Sequence, residues 1–188
     1  MLIVKNKFDG SPCFSLKNRL LRVLWGLIYF SLFRFSPRPL HFWRSFLLRL
    51  FGATVGKKCH IYPSVKIWAP WNLVLGQSIG IGDRTIIYSM DTITIKDYVV
   101  ISQGAHLCAG SHDVNSPSFQ LVTLPIVIGR YVWICAESFI NPGVSVAEGS
   151  VIGARGVVAK SIVEPWCIWA GVPVKKIGLR NKSIILKE

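Results

Sequence analysis

From Val55 onward, apolar β-branched residues or Leu recur at every sixth position. The late run is unbroken, through Ile128, Ile134, Ile140, Val146, Ile152 and Val158. Earlier sets of three begin at Val55, Ile61 and Ile67, then at Leu75, Ile81 and Ile87, then at Ile95, Ile101 and Leu107. A period of six fits neither the 3.6-residue period of a helix nor the alternation of a lone strand. It is the mark of an all-β solenoid, a parallel β-helix in which each hexad gives one short strand and one turn and three hexads close a triangular coil. The pattern predicts about five coils between residues 55 and 163. First-position residues stack from coil to coil, and a small fifth residue is expected to turn the corner without filling the interior.

The breaks in phase fall at one corner of the prism. From Ile67 to Leu75 and from Ile87 to Ile95 the step is eight residues, and from Leu107 to Ile128 it is 21, each after the third hexad of a coil. The long break inserts residues 113–127, DVNSPSFQLVTLPIV. A loop of that length in a compact domain is a candidate for function, and His112 stands immediately before it.

Ahead of the repeat, residues 15–35 and 39–51 read as two helices separated by Ser36, Pro37, Arg38 and Pro39. The longest uncharged stretch, Val23 to Phe33, is eleven residues, too short to span a bilayer. Aromatic faces with scattered Arg suit helices lying in a membrane interface, and equally suit a cap on the open end of a solenoid. The chain thus divides into a basic amphipathic leader (1–54), the β-helix with its loop 113–127 (55–163) and a short C-terminal tail (164–188). The opening MLIVKNKFDGSP lacks the apolar core and cleavage site of a signal peptide.

Charge sharpens this division. The 188 residues hold 22 Lys and Arg against 9 Asp and Glu, a formal charge of +13, yet only 16% are charged and 51% are hydrophobic. That balance excludes a disordered basic tail. Residues 1–58 carry eleven of the cations and a single acid, Asp9. These cations are interleaved with Leu, Trp, Phe and Tyr and form no reading element, so nucleic acid is not an expected partner. An anionic membrane surface and a polyanionic small ligand remain. Five cysteines without a CxxC pair indicate neither a disulfide framework nor a zinc ribbon, and fit a reducing, cytoplasmic setting.

Three stretches carry a family likeness: ISQGAHLCAGSHD (101–113), PIVIGRYVWICAESFINPGVSVAEGSVIGARGVVAK (125–160) and EPWCIWAGVPVKKI (164–177). With the hexads they cover about two thirds of the chain. They resemble the left-handed β-helix acyltransferases, and among these the colanic-acid type of exopolysaccharide O-acetyltransferase, close to the galactoside, maltose and nodulation-sugar enzymes. The resemblance implies a homotrimer that moves acetyl from acetyl-CoA to a sugar hydroxyl, with active sites between neighbouring β-helices and no metal. It also implies a place at the inner face of the cytoplasmic membrane, where lipid-linked exopolysaccharide precursors are built.

Acyl transfer to an alcohol needs a base for the hydroxyl proton, donors for the oxyanion and a groove for the coenzyme. His112, at an outward corner, fits the base. Asp91, one coil earlier, is the first candidate to orient it or to bind the acceptor, with Asp113 and Glu137 as alternatives; Tyr88 and Ser89 are further acceptor contacts. The resemblance places the acyl and pantetheine groups on the amides of Ala136 and Ala154 and the coenzyme phosphates on Lys160 and Lys175. Arg155, often a small residue in the family, is a further phosphate partner, and Cys135 stands where Gly is usual. Trp133 is expected to pack between coils. Neither Cys108 nor Cys135 is paired with a base, so transfer is expected to be direct. Other readings keep the fold with an amino sugar or serine as acceptor, or make it a non-catalytic scaffold showing its basic helices to a membrane. A zinc-dependent β-helix carbonic anhydrase would need ligands from two subunits, because six extended residues put about 20 Å between His106 and His112.

Overall fold

The computed structural model describes residues 13–185, and in them the hexads wind into a three-sided parallel β-helix. The first face stacks strands Thr54–Val55, Leu73–Leu75, Ile93–Ile95, Ile126–Ile128 and Ser145–Val146. The second begins at His60–Ile61 and ends at Cys167–Ala170. The third runs from Lys66–Ile67 through Ile86–Tyr88, His106–Cys108 and Phe139–Ile140 to Val157–Val158. Every residue of the sixfold register from Val55 to Val158 is buried, none more than 8% exposed. The register crosses the long insertion unbroken, with Ile128 over Ile95, Ile134 over Ile101 and Ile140 over Leu107. Five coils are complete, and a partial sixth follows in which Ile162 bridges to Val146 and Cys167–Ala170 extends the second face.

The fifth hexad position does not turn the corner as expected. It is a second inward position, two residues before the next first position and so on the same side of the strand, and it accepts large residues: Val65, Ile79, Val99, Val132 and Val144 are all buried. Where it is polar its hydroxyl is bonded, as when Ser138 Oγ lies 2.9 Å from both the Cys135 and Gly153 carbonyls. The turn is made by the fourth position. Lys58, Ser78, Arg84, Tyr98, Tyr131, Glu137 and Arg155 all have φ between 55° and 60°. A side chain there costs about 1–2 kcal/mol. Most of these turns are held by a ladder between coils, in which Ser78, Tyr98, Glu137 and Arg155 donate N–H to the carbonyls of Lys57, Gln77, Gln103 and Ala136 at 2.8–3.0 Å.

At the N-terminal end, α1 (Leu16–Ile28) continues through a π turn, Tyr29–Phe33, and is followed by α2 (His41–Leu50). Trp25, Phe33, Leu47 and Leu48 are buried in the same core as the first coil. Trp25 Nε1 donates to the Ile67 carbonyl at 2.7 Å. Arg44 is fully buried, donating to the carbonyls of Ile61 (2.6 Å) and Pro37 (2.9 Å) and to Ser36 Oγ (2.7 Å). These acceptors replace water around a buried cation, whose pKa burial lowers. The helix pair therefore caps the open end of the solenoid. At the other end the second face is extended by an antiparallel hairpin of Cys167–Ala170 with Lys175–Leu179, followed by a last short helix, α3 (Lys182–Ile185). Residues 1–12 of the expected leader and 186–188 of the tail lie outside the described residues. Among the described residues no helix is long and apolar enough to cross a membrane.

Candidate active site

All three interruptions lie where the third face passes to the first. The first is a 3-10 turn, Pro70–Asn72, and the second a short link from Ser89 to Thr92. The third is structured, unlike the loop that its length suggested: Gly110–His112 pairs antiparallel with Leu121–Thr123, with Ser111 opposite Val122 and His112 opposite Leu121. Residues 126 and 127, at the end of the expected loop, already belong to the first-face strand Ile126–Ile128. Burial explains the ordering, since Leu121 and Ile126 anchor the returning strand inside.

His112 is exposed at the end of the outgoing strand. Its Nδ1 lies 2.8 Å from the Phe119 carbonyl, and its ring is parallel to the Phe119 ring at 4.5 Å and 8°. A carbonyl only accepts, so Nδ1 carries the hydrogen and the neutral ring keeps its lone pair on the outward Nε2. Phe119 sits at φ 45°. The tip that holds it is stitched by Asp113 N–H to Gln120 O (2.8 Å), Phe119 N–H to Ser116 O (2.9 Å) and Asn115 N–H to Asp113 Oδ1 (3.0 Å).

None of the expected orienters is hydrogen-bonded to His112, whose Nδ1 meets the Phe119 carbonyl. Asp91 accepts the N–H of Thr92 at 2.7 Å, and Asp113 supports the hairpin tip. Glu137 pairs with Arg155 at 2.7 Å on another corner, a bond that holds its carboxyl below the usual range. The Nδ1 partner is a backbone carbonyl, which composition does not announce. Ser89 is corrected. It is fully buried, its Oγ donates its one proton to Ala69 O (2.9 Å) and accepts from Ala69 N–H (3.1 Å), and burial keeps an acceptor sugar away. Tyr88 is half-buried on the third face between Trp68 and His106, and burial raises its pKa.

The residues expected at the coenzyme lie elsewhere on the prism. Ala136 and Ala154 stack on the corner between the second and third faces, where the Ala136 carbonyl accepts from Arg155 N–H. Neither alanine's own N–H has a hydrogen-bond partner among the described residues. Arg155 shares this corner but is engaged with Glu137. Lys160 is exposed beyond Val157–Val158, and Lys175 is exposed at the start of the closing hairpin, opposite Ala170. Cys135 is half-buried, which pushes its thiol up, away from the thiolate a nucleophile needs. Trp133 is partly exposed and tied to the preceding coil by Nε1–H to Ser102 Oγ at 3.0 Å. His106 is half-buried against Phe139, while His60 stacks on His41 at 4.8 Å. Among the described residues no three His, Cys, Asp or Glu side chains form a group that could hold a metal ion.

No protein-family model matches the chain. It is 41% identical over 165 residues to an Escherichia coli (strain K12) protein provisionally named colanic acid biosynthesis acetyltransferase WcaF, covering 88% of this chain and 85% of that protein. It is 32% identical to the galactoside O-acetyltransferase of the same strain, across 77% of this chain and 74% of the relative. Among solved structures, a galactoside acetyltransferase in complex with coenzyme A superposes with a TM-score of 0.82 at 28% identity, covering 92% of this chain and 86% of that one.

Proposed function

The chain belongs to the hexapeptide-repeat acetyltransferases, the family of these relatives, and from that premise we propose that it transfers acetyl from acetyl-CoA to a sugar hydroxyl in the synthesis of an exopolysaccharide or related glycan. The observation that carries the chemistry is the Nδ1 bond of His112 to the Phe119 carbonyl, which leaves Nε2 as a base facing solvent. His112 Nε2 takes the acceptor hydroxyl proton as that oxygen attacks the thioester carbonyl. The imidazolium, stabilised by the hydrogen bond from Nδ1 to the Phe119 carbonyl, then returns the proton to the departing thiolate. No acyl-enzyme is formed, consistent with the raised pKa of Cys135.

The unpartnered amides of Ala136 and Ala154 supply donors for the acyl and pantetheine groups, and the exposed Lys160 and Lys175 supply charge for the coenzyme phosphates. Arg155 is a weaker candidate for that role because a phosphate must displace Glu137. Tyr88, Asp91 and Asp113 remain for the acceptor sugar. His112 and the two alanines occupy different edges of the prism, and a face of extended chain between them reaches up to about 20 Å. A site completed by a second copy, in a homotrimer, accounts for that separation. The test is release of the CoA thiol from acetyl-CoA in the presence of a panel of sugars, nucleotide sugars and lipid-linked glycans. Acceptor-dependent release with mass gain on the sugar is expected; absence of release with every hydroxyl acceptor, or acetylation confined to amino groups, overturns the reading.

A further inference from the structure

The capping helices bury one side and leave the other both apolar and bare. On α1, Leu16, Leu20, Val23, Leu24 and Leu27 are each at least 50% exposed, at helical spacings that put them on one face. On α2, Phe42, Phe46 and Leu50, spaced four apart, are exposed by 50–71%. The two stripes are continuous. Leu24 and Leu50 line the same open slot of about 410 Å³ between the helices, with Leu21, Ile28, Phe51 and Trp71 and no charged group. An apolar surface of this extent on a folded chain marks a contact site.

Its border is uniformly basic. Lys17, Arg19, Arg34, Arg49, Lys57 and Lys58 are exposed, and the sequence has no acid between Asp9 and Asp83. Beside Phe42 a cleft of about 320 Å³ is lined by His41, Arg49, Lys57, Lys58 and His60. A second copy docked here through the same face would set these cations against one another, and neither the slot nor the cleft is lined by a carboxylate. A surface that is apolar within and anionic at its edge satisfies both halves of the pattern.

We propose that this face seats the protein on an anionic lipid bilayer. The side chains of Leu20, Leu27, Phe42 and Phe46 enter the boundary of the acyl chains, and Lys57 and Lys58 meet lipid phosphates. The inference is independent of acetyl transfer, because its readout is vesicle binding.

The test is co-sedimentation of the full chain with vesicles of phosphatidylglycerol and phosphatidylcholine (about 30:70) and of phosphatidylcholine alone, at low and high salt. Binding to the anionic vesicles that weakens with salt is expected. Lys57→Gln with Lys58→Gln should lower partitioning by about fivefold per lysine. Leu20→Ser with Leu27→Ser should abolish it while circular dichroism stays unchanged, since both positions are exposed. Wild-type protein left in the supernatant with both vesicle types overturns the proposal, as does binding that the leucine pair does not affect. Self-association of the wild type that the leucine pair dissolves, without vesicle binding, assigns the face to a second copy and also overturns it.

Discussion

The imidazole of His112 lies parallel to the ring of Phe119, 4.5 Å away, while its Nδ1 meets the carbonyl of the same residue at 2.8 Å. One residue thus fixes both the plane and the tautomer of the proposed base. It does so from φ 45°, a conformation a bulky residue rarely adopts, held by the hydrogen bonds of the hairpin tip.

Removing the base should abolish turnover and spare the fold. His112→Ala is expected to lower kcat by 10²–10⁴-fold with little change in KM for acetyl-CoA. The urea midpoint should hold, because the side chain is exposed and its one bond is to a surface loop. Near-normal turnover by a folded variant would remove His112 from the mechanism.

Substitutions at Phe119 separate backbone from ring. Proline fixes φ near −65° and so swings the carbonyl away, whereas glycine tolerates φ 45° and leaves it in place. Phe119→Pro should cost about as much in kcat as losing the base's orientation, on the order of 10²-fold. Phe119→Gly should keep most of the activity. Equal losses in the two variants would mean that ring stacking, and not the carbonyl, holds His112.

Much of the architecture was legible because the sixfold register is enforced by burial. Ile95, Ile101 and Leu107 could be stacked on Ile128, Ile134 and Ile140 across a 21-residue gap, since each must fill the same interior line. The corner chemistry was not legible. Left-handed φ falls on Tyr98, Tyr131 and Arg155, residues with no preference for it, because the inter-coil N–H ladder imposes the conformation from outside the hexad. The site was half legible. His112 stands out by its place at a phase break, but its partner is a carbonyl, which every residue has. Ser89 looked available because a hydroxyl's partners cannot be read from sequence; they lie a coil below, on Ala69.

The packing argument is tested inside and at a corner. Ile134 is fully buried in the second face, so Ile134→Ala should destabilise by about 2–5 kcal/mol. Gly149 turns its corner at φ 68°, and a Cβ there would clash with the Trp166 ring. Gly149→Ala combines a strained backbone with a clash and should cost about 2 kcal/mol or more. Urea midpoints check both, and a neutral Gly149→Ala would mean that Trp166 moves freely aside.

Stability should also fall on mild acidification, through His106. Its ring sits between Tyr88 and Phe139 at centroid distances of 6.2 and 4.9 Å, its Nε2 is buried without a partner, and burial lowers its pKa below the ordinary 6.5. Well above pH 6.5 the ring is neutral in both folded and unfolded chains and contributes no pH dependence. Below 6.5 the unfolded chain takes up a proton that the folded one resists, so stability declines as pH falls toward the depressed folded value. His41, whose pKa burial also lowers, acts in the same direction. His106→Phe keeps an aromatic ring on a face already lined by aromatics and removes the titration. The drop in urea midpoint between pH 7.5 and 5.5 should therefore shrink in this variant while part of it, from His41, persists. An unchanged drop would show that the folded protein protonates His106 as readily as the unfolded chain does.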